Sequence, residues 1–291
     1  MASLQGQTKG LLLTGGEPTS SPLFADVVRM ARKHGFLEIA VVTNGTLLHK
    51  NSVVDALVTY ASTIRISLYD WDADSFSGIN PVLDRIESLR KKIDREGSQL
   101  QIGVSALTSK EKKGILFELA DSIRSAGAHW IYFHPTCTGW NFGRLAQVNQ
   151  EGVLEEIENY QKSLPPADGF EAFVSRDRYL QTQLEFDTYH AAHFLLVIGA
   201  DGLNYLGPEV KYQPQHVLSD VAGNWRGDFL WQRERLKRIR AVKSNSYPGL
   251  KSRHRGVFYN DFIERMLCGR LSSEERSILR SPQEFRFPHI L

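Results

Sequence analysis

Short apolar runs alternate with amphipathic stretches through the first half of the chain. Gly10–Thr14 (GLLLT), Glu38–Thr43 (EIAVVT), Ile64–Leu68 (IRISL), Leu100–Leu107 (LQIGVSAL) and Trp130–His134 (WIYFH) read as strands. They are brief, rich in branched and aromatic residues, and bounded by turn residues. Ser21-Pro22 predicts the first helix, with Ser21 as N-cap, Pro22 in the first turn, an inward face of Leu23, Val27, Met30 and Ala31, and a stop at Gly35. Further helices are predicted over Val53–Tyr60, over Pro81–Glu96 with a stop at Gly97, and around Ile115–Ser125 with a stop at Gly127. A helix in every gap makes the strands parallel. Their near-continuous apolar character suits a sheet covered by helices. An open doubly wound sheet and a barrel both satisfy this pattern.

Beyond about residue 145 the rhythm changes. Asn149–Leu164 predicts a helix closed by Pro165-Pro166, and residues 166–189 are weakly patterned. Phe194–Ile198, Ala200-Asp201-Gly202 and Leu203–Leu206 read as a hairpin. A basic helix is predicted around Phe229–Val242, then one more helix and an irregular tail over 257–291. This divides the chain into domains at 1–165 and 166–291.

With 42% hydrophobic and 23% charged residues, the composition is that of an ordinary globular protein. No apolar run reaches the roughly 18–20 residues a membrane span needs, and MASLQGQTKG lacks the apolar core of a secretory signal. Cys137 and Cys268 are the two cysteines, too far apart to suggest a disulfide-stapled fold. The expectation is a soluble cytoplasmic protein without a membrane partner. The net charge of +2 conceals a balance of +8 within residues 226–256. That stretch lacks the aromatic or glycine motif of a nucleic-acid module, so it reads as a solvated helix face and nucleic acid is not an expected partner.

Candidate chemistry gathers at the carboxyl ends of the strands, where parallel α/β folds bind ligands. The residues there are Gly15-Gly16-Glu17-Pro18, Thr43-Asn44-Gly45, Ser67-Leu68-Tyr69-Asp70 and His134-Pro135-Thr136-Cys137. Paired glycines let the backbone approach a ligand, and a carboxylate beside them can hold an ammonium group. Asp70 could orient a substrate hydroxyl or amine, and His134 could move a proton near neutral pH. Tyr69 and Cys137 complete the catalytic candidates, each weighed against an ordinary strand-end cap. Trp71, Trp130 and Trp140 read as core or cavity wall. Asp187, His190 and His193 have metal-like spacing, but i, i+3, i+6 drifts around a helix and ordinary histidines are favoured, so no metal ligand is assigned.

In order and spacing, LLLTGGEPTSSPLF, GFLEIAVVTNGTLL and IRISLYD resemble the radical S-adenosylmethionine (SAM) superfamily across residues 10–134. The resemblance implies an α/β fold, a partial parallel (β/α) barrel of the radical SAM type with a small α+β C-terminal extension. It implies that Gly15, Gly16, Glu17 and Pro18 hold the amino group of SAM, and that Asn44 and Ser67 complete the cofactor site. It also implies a [4Fe–4S] cluster on a CxxxCxxC loop, reductive cleavage of SAM to a radical, a small-molecule or peptide substrate, and an electron donor such as flavodoxin or ferredoxin. Cys137 could then deliver a hydrogen atom, as a cysteine does in some epimerising members.

The cluster loop is missing. Fourteen residues precede Gly15 and none is cysteine, and Cys137 and Cys268 lie 131 residues apart. Residues 189–205 further resemble an auxiliary-cluster extension whose cysteine positions fall on Tyr189 or His190 and near Gly207. The expectation is a cluster-free, inactive chain, either a truncated product or a pseudoenzyme, with truncation favoured. The rival readings are a non-catalytic binding scaffold using the barrel mouth or the basic 226–256 face, and a metal enzyme using His190 and His193.

Overall fold

The computed structural model describes residues 8–69, 71, 78–138, 146–147, 149–165, 169–180, 186–220, 232–242 and 255–280. Asp70, Trp140 and most of the basic 226–256 segment lie outside the described residues. Two compact units divide the chain: the first takes the described residues to 138 and from 147 to 179, the second residue 146 and those from 180 onward.

The first unit is built on six parallel strands, β1 (Gly10–Leu13), β2 (Glu38–Thr43), β3 (Thr63–Leu68), β4 (Gln101–Thr108), β5 (Trp130–Pro135) and β6 (Glu171–Val174). Helices α1 (Phe24–Lys33), α2 (Asn51–Tyr60), α3 (Asn80–Glu96), α4 (Leu116–Ser125) and α5 (Val153–Ser163) fill the gaps, and α6 (Arg176–Leu180) follows β6. Each strand pairs in parallel with its predecessor, so the order is sequential and has no switch point. Right-handed crossovers then put every helix on the same side of the sheet. That is the topology of a partial (β/α) barrel rather than a doubly wound sheet. Ile39, Val41, Ile64, Ile66, Ile102, Val104, Ala106 and Ile131 are fully buried along its middle.

The five expected strands stand within a residue or so of their sequence bounds. Gly35, Gly97 and Gly127 take left-handed φ values of 81°, 65° and 97° at the helix stops. Three features differ. The sixth strand, β6, arises in the stretch read as weakly patterned and carries the same sheet past residue 165. The first helix begins at Phe24 rather than at Pro22, because Pro18–Ser20 form a 3₁₀ turn capped by the Glu17 side chain. Its inward face is therefore Phe24, Val28 and Ala31, while Leu23 and Met30 are exposed.

The second unit holds an antiparallel sheet of β7 (Val197–Ile198), β8 (Leu203–Tyr205) and β9 (Val217–Asp220), with β8 in the middle. Helices α7 (Arg233–Ala241), α8 (Arg255–Leu267) and α9 (Ser273–Arg280) follow, so the stretch from 257 contains two helices rather than one. Phe186, Tyr189, Ala191, Ala192, Leu206, Val210, Leu218 and Ile239 form its core. A hairpin with a glycine turn is present as expected, extended by a third strand.

Candidate functional site

A cavity of about 520 Å³ opens at the carboxyl ends of β1, β2 and β3, a size suited to a small ligand. Gly15, Gly16, Asn44, Ser67 and Tyr69 line it, five of the residues singled out from sequence. Thr14, Thr43, Thr46, Arg65 and Arg85 line it as well.

The Gly-Gly turn has room beside it. A Cβ built at Gly15 or Gly16 would meet no atom within 4 Å. The backbone itself calls for glycine at Gly15, whose φ is +154°, but neither backbone nor packing demands one at Gly16, in contrast to Gly103 in β4, whose Cβ would fall 2.1 Å from the Trp130 ring. Open space beside a glycine at a strand end is available to a ligand approaching the backbone.

Glu17 is engaged within the fold. One carboxylate oxygen accepts the Thr43 hydroxyl at 2.7 Å, the Thr19 N–H at 3.0 Å and the Thr19 hydroxyl. The other accepts the Asn44 N–H at 2.7 Å. Partial burial raises its pKa, but these hydrogen bonds outweigh burial and leave it below the ordinary carboxylate value. Glu17 is a clasp that ties the β1 turn to the end of β2 and so shapes the cavity. Pro18 stands at the start of the 3₁₀ turn beside it.

Asn44 is constrained on one side only. Its side-chain oxygen accepts the Thr46 N–H at 2.9 Å and the Thr46 hydroxyl at 2.7 Å. Its Nδ2 donors have no partner among the described residues.

Arg65 and Ser67 alternate along β3 with Ile64, Ile66 and Leu68, which are buried in the core. The period of two sends Arg65 and Ser67 to the opposite face, into the cavity. Arg65 Nε is buried and has no hydrogen-bond partner. Burial lowers the Arg65 pKa, and the Arg178 guanidinium lowers it further against the opposing influence of Tyr69 and Tyr132. No carboxylate of the described residues acts on it. A cation held out of water without a carboxylate is an unmet demand for an anion. The sequence carried a signal for it: a charged residue inside a strand covered on both faces must look into something polar. Arg85 offered no such signal, because an arginine on a long amphipathic helix is ordinary.

His134 and Cys137 are not among the residues lining this cavity. His134 Nδ1 lies 2.8 Å from Arg178 Nη1, and its ring stacks 3.9 Å from Tyr132. A guanidinium can only donate, so Nδ1 accepts and the proton of a neutral ring sits on Nε2. This arrangement opposes use of Nδ1 as a base. Cys137 is half-buried and its thiol donates to the Pro135 carbonyl at 3.5 Å. Trp71 and Trp130 are buried, the former donating from Nε1 to the Leu107 carbonyl at 3.2 Å.

Among the described residues no three His, Cys, Asp or Glu side chains gather in a way that could hold a metal. The His190 ring donates to Glu264 at 3.1 Å, and the same carboxylate oxygen accepts the Asp187 and Thr188 N–H groups. Asn260 accepts the Ala191 N–H at 2.7 Å, so α8 clasps the segment around His190. Burial, Arg235, His190 and Arg240 all lower the His193 pKa. Arg235 and Ile239 of the basic helix are buried, and Arg238 donates to the Val217 and Leu218 carbonyls. Part of the +8 segment is therefore structural.

No family model matches the chain. It is 30% identical over 152 residues to a protein of Saccharolobus solfataricus described as "Probable GTP 3',8-cyclase", covering 51% of this chain and 47% of the relative. A Metallosphaera sedula protein of the same description is 28% identical over 157 residues, covering 52% and 47%. The chain thus spans about half the length of the curated relatives it matches. Among solved structures, SuiB of Streptococcus suis bound to S-adenosylmethionine superposes with a TM-score of 0.58 at 17% identity, over 80% of this chain and 56% of that one. SuiB bound to its precursor peptide SuiA gives 0.55. The chain is a distant homologue of the GTP 3',8-cyclases and shares the fold of SuiB, and both are radical SAM superfamily enzymes. The superfamily resemblance drawn from the strand-end motifs holds.

Proposed function

We propose that this chain is the SAM-holding part of a radical SAM enzyme, and that as given it does not itself hold the iron–sulfur cluster. The observation that carries the first half is the cavity at the ends of β1–β3, with Gly15-Gly16 open beside it and Arg65 unmet by any carboxylate of the described residues. Gly15 and Gly16 present backbone groups to the ammonium end of the methionyl moiety. Ser67 and Arg65 meet its carboxylate, and Asn44 donates from Nδ2. Glu17 contributes by locking the turn in place rather than by touching the ligand. SAM bound there would supply a carbon radical once reduced by one electron.

The cluster does not fit the residues present. It wants at least three thiolates, whereas Cys137 is half-buried, Cys268 is exposed, and the two lie in different units. No step is therefore routed through it. The edge of β1 opposite β2 pairs with no other described strand, and Leu12 on β1 and Leu37 beside it are more than half exposed. An apolar edge of this kind suits one more parallel strand and helix. It supports the reading that the working enzyme carries a further βα unit with the cluster cysteines. A peptide or small-molecule substrate and a flavodoxin or ferredoxin as electron donor belong to the same proposal, as does the second unit's role as an auxiliary-cluster extension that has lost its cysteines. The non-catalytic scaffold is the reading left if no cluster-bearing unit exists.

Two measurements test this. SAM should bind the chain saturably by calorimetry, and absence of heat at millimolar SAM sinks the cofactor reading. Anaerobic iron–sulfide reconstitution should leave the protein colourless, and a stable brown species absorbing near ~400 nm overturns the second half. An in-frame CxxxCxxC upstream of Met1 in the coding sequence would select the enzyme over the scaffold.

A further inference from the structure

On the cavity-side face of β3, β4 and β5, four buried polar atoms have no hydrogen-bond partner among the described residues: Thr63 Oγ1, Arg65 Nε, Ser105 Oγ and Trp130 Nε1. Thr63, Ser105 and Trp130 are at most 2% exposed. Thr63 and Arg65 alternate along β3 with the cavity-lining Ser67, so the three share one face. The strand register carries that face across the sheet. Arg65 stands beside Gly103, Gly103 beside Trp130, and Ser67 beside Ser105. Gly103 has no side chain, and the Trp130 ring takes its space. Cε2, the carbon that carries Nε1, lies 2.1 Å from where a Gly103 Cβ would stand. The indole thus reaches over β4 to the strand beside Arg65.

Orphaned buried donors are rare in folded proteins, and four such atoms on one face of three neighbouring strands have a common cause. A guanidinium and an indole only donate, whereas a hydroxyl donates or accepts. Two strict donors beside two hydroxyls match internal water, which accepts two hydrogen bonds and gives two. Two residues along a strand span about 6.6 Å, so Thr63, Arg65 and Ser105 stand at successive levels that water can bridge.

We propose that this column holds a short file of internal water, running from Thr63 past Arg65 and Trp130 to Ser105, and that the file fixes Arg65 with its terminal nitrogens toward the cavity. Water takes the Nε proton and leaves the charge and the other guanidinium nitrogens for a ligand carboxylate. Trp130 and Ser105 are then positioning residues that act through Arg65. The positioning half rests on the SAM reading; the water site does not.

The test is NMR on the full chain, isotope-labelled in tryptophan and arginine, reading magnetisation transfer from water to the Trp130 indole N–H and the Arg65 Nε–H. Trp130→Phe and Arg65→Met assign the two signals. Both protons should show the sign of transfer that marks long-lived internal water, and no transfer to either overturns the site. A saturable shift of the Trp130 signal with sodium chloride, absent with sodium gluconate, overturns water in favour of a bound anion. Ser105→Ala should diminish the transfer to Arg65 Nε–H. Ser105→Ala and Trp130→Phe should each weaken SAM about fivefold by calorimetry, with circular dichroism confirming that both are folded. Unchanged SAM affinity in both variants overturns the positioning role. SAM that fails to bind the parent chain overturns the cofactor reading and the positioning role with it, while water transfer to the two protons still upholds the site.

Discussion

Arg65 in the first unit and Arg235 in the second are both cations taken out of water, and they are treated in opposite ways. Arg235 is 1% exposed and donates from Nη2 to the Ala192 carbonyl and from Nε to the Asn204 side-chain oxygen at 3.3 Å. Burial lowers its pKa to about 10, so it stays charged at neutral pH. It joins α7 to the hairpin and to the segment around His190. Arg65 has a buried Nε with no partner and faces a cavity. The difference lies in hydrogen-bond satisfaction rather than burial. A cation whose donors are used by its own chain holds a fold together, and one with an unused donor facing a cavity is left open to a ligand.

The largest expected effect breaks or keeps this contrast. Arg235→Met removes the donor to the Ala192 carbonyl and one of two donors to the Asn204 side-chain oxygen and should cost the second unit about 3 kcal/mol in urea unfolding. Arg65→Met should cost nothing and is expected to stabilise the ligand-free chain by up to about 1 kcal/mol, because it removes an unsatisfied cation. Equal losses for the two variants would dissolve the distinction.

Two glycines make the next comparison. Gly103→Ala drives a Cβ into Trp130 and should cost about 2 kcal/mol. Gly16→Ala meets nothing within 4 Å, so its unfolding midpoint should hold or rise slightly. Its SAM affinity, read by calorimetry, should nevertheless fall severalfold, as expected of a glycine kept for a ligand.

Arg65→Met should also weaken SAM about tenfold, equivalent to about 1.4 kcal/mol. Unchanged affinity would remove Arg65 from the cofactor site while leaving its burial unexplained.

The smallest effect concerns Glu17. Its folded pKa lies below the model-compound value of 4.5. The stability it contributes is therefore fully present above pH 4.5 and is lost as pH falls through the folded value. Glu17→Gln should destabilise the first unit by about 1 kcal/mol at neutral pH, and the gap to the parent chain should close on acidification. A gap that widens toward low pH would contradict the clasp.

Several elements were legible along the chain because their signals are local. Strands β2 to β5 show as apolar runs, since both faces of a covered parallel sheet are dry. Gly35, Gly97 and Gly127 mark helix ends because a left-handed residue is needed there. β6 escaped because it is four residues long, sits at the sheet edge and is mostly half-buried, leaving no apolar run to see. The start of α1 was misplaced because Glu17, several residues upstream, captures Thr19 and turns Pro18–Ser20 into a 3₁₀ turn. Proline in a first turn marks either kind of helix.

The sequence alone determined the kind of fold, and it marked Gly15-Gly16, Asn44 and Ser67, which line the cavity. It also determined that this chain has too few thiols for a cluster. The tertiary structure decided what each polar group does there. It tied Glu17 to Thr19, Thr43 and Asn44, gave Arg178 to His134, and left Arg65 and Arg85 facing one cavity with no acidic described residue in its lining. The reason is physical: whether a polar side chain serves the fold or a ligand depends on which hydrogen bonds its neighbours have already taken, and those neighbours are set by folding, not by position along the chain.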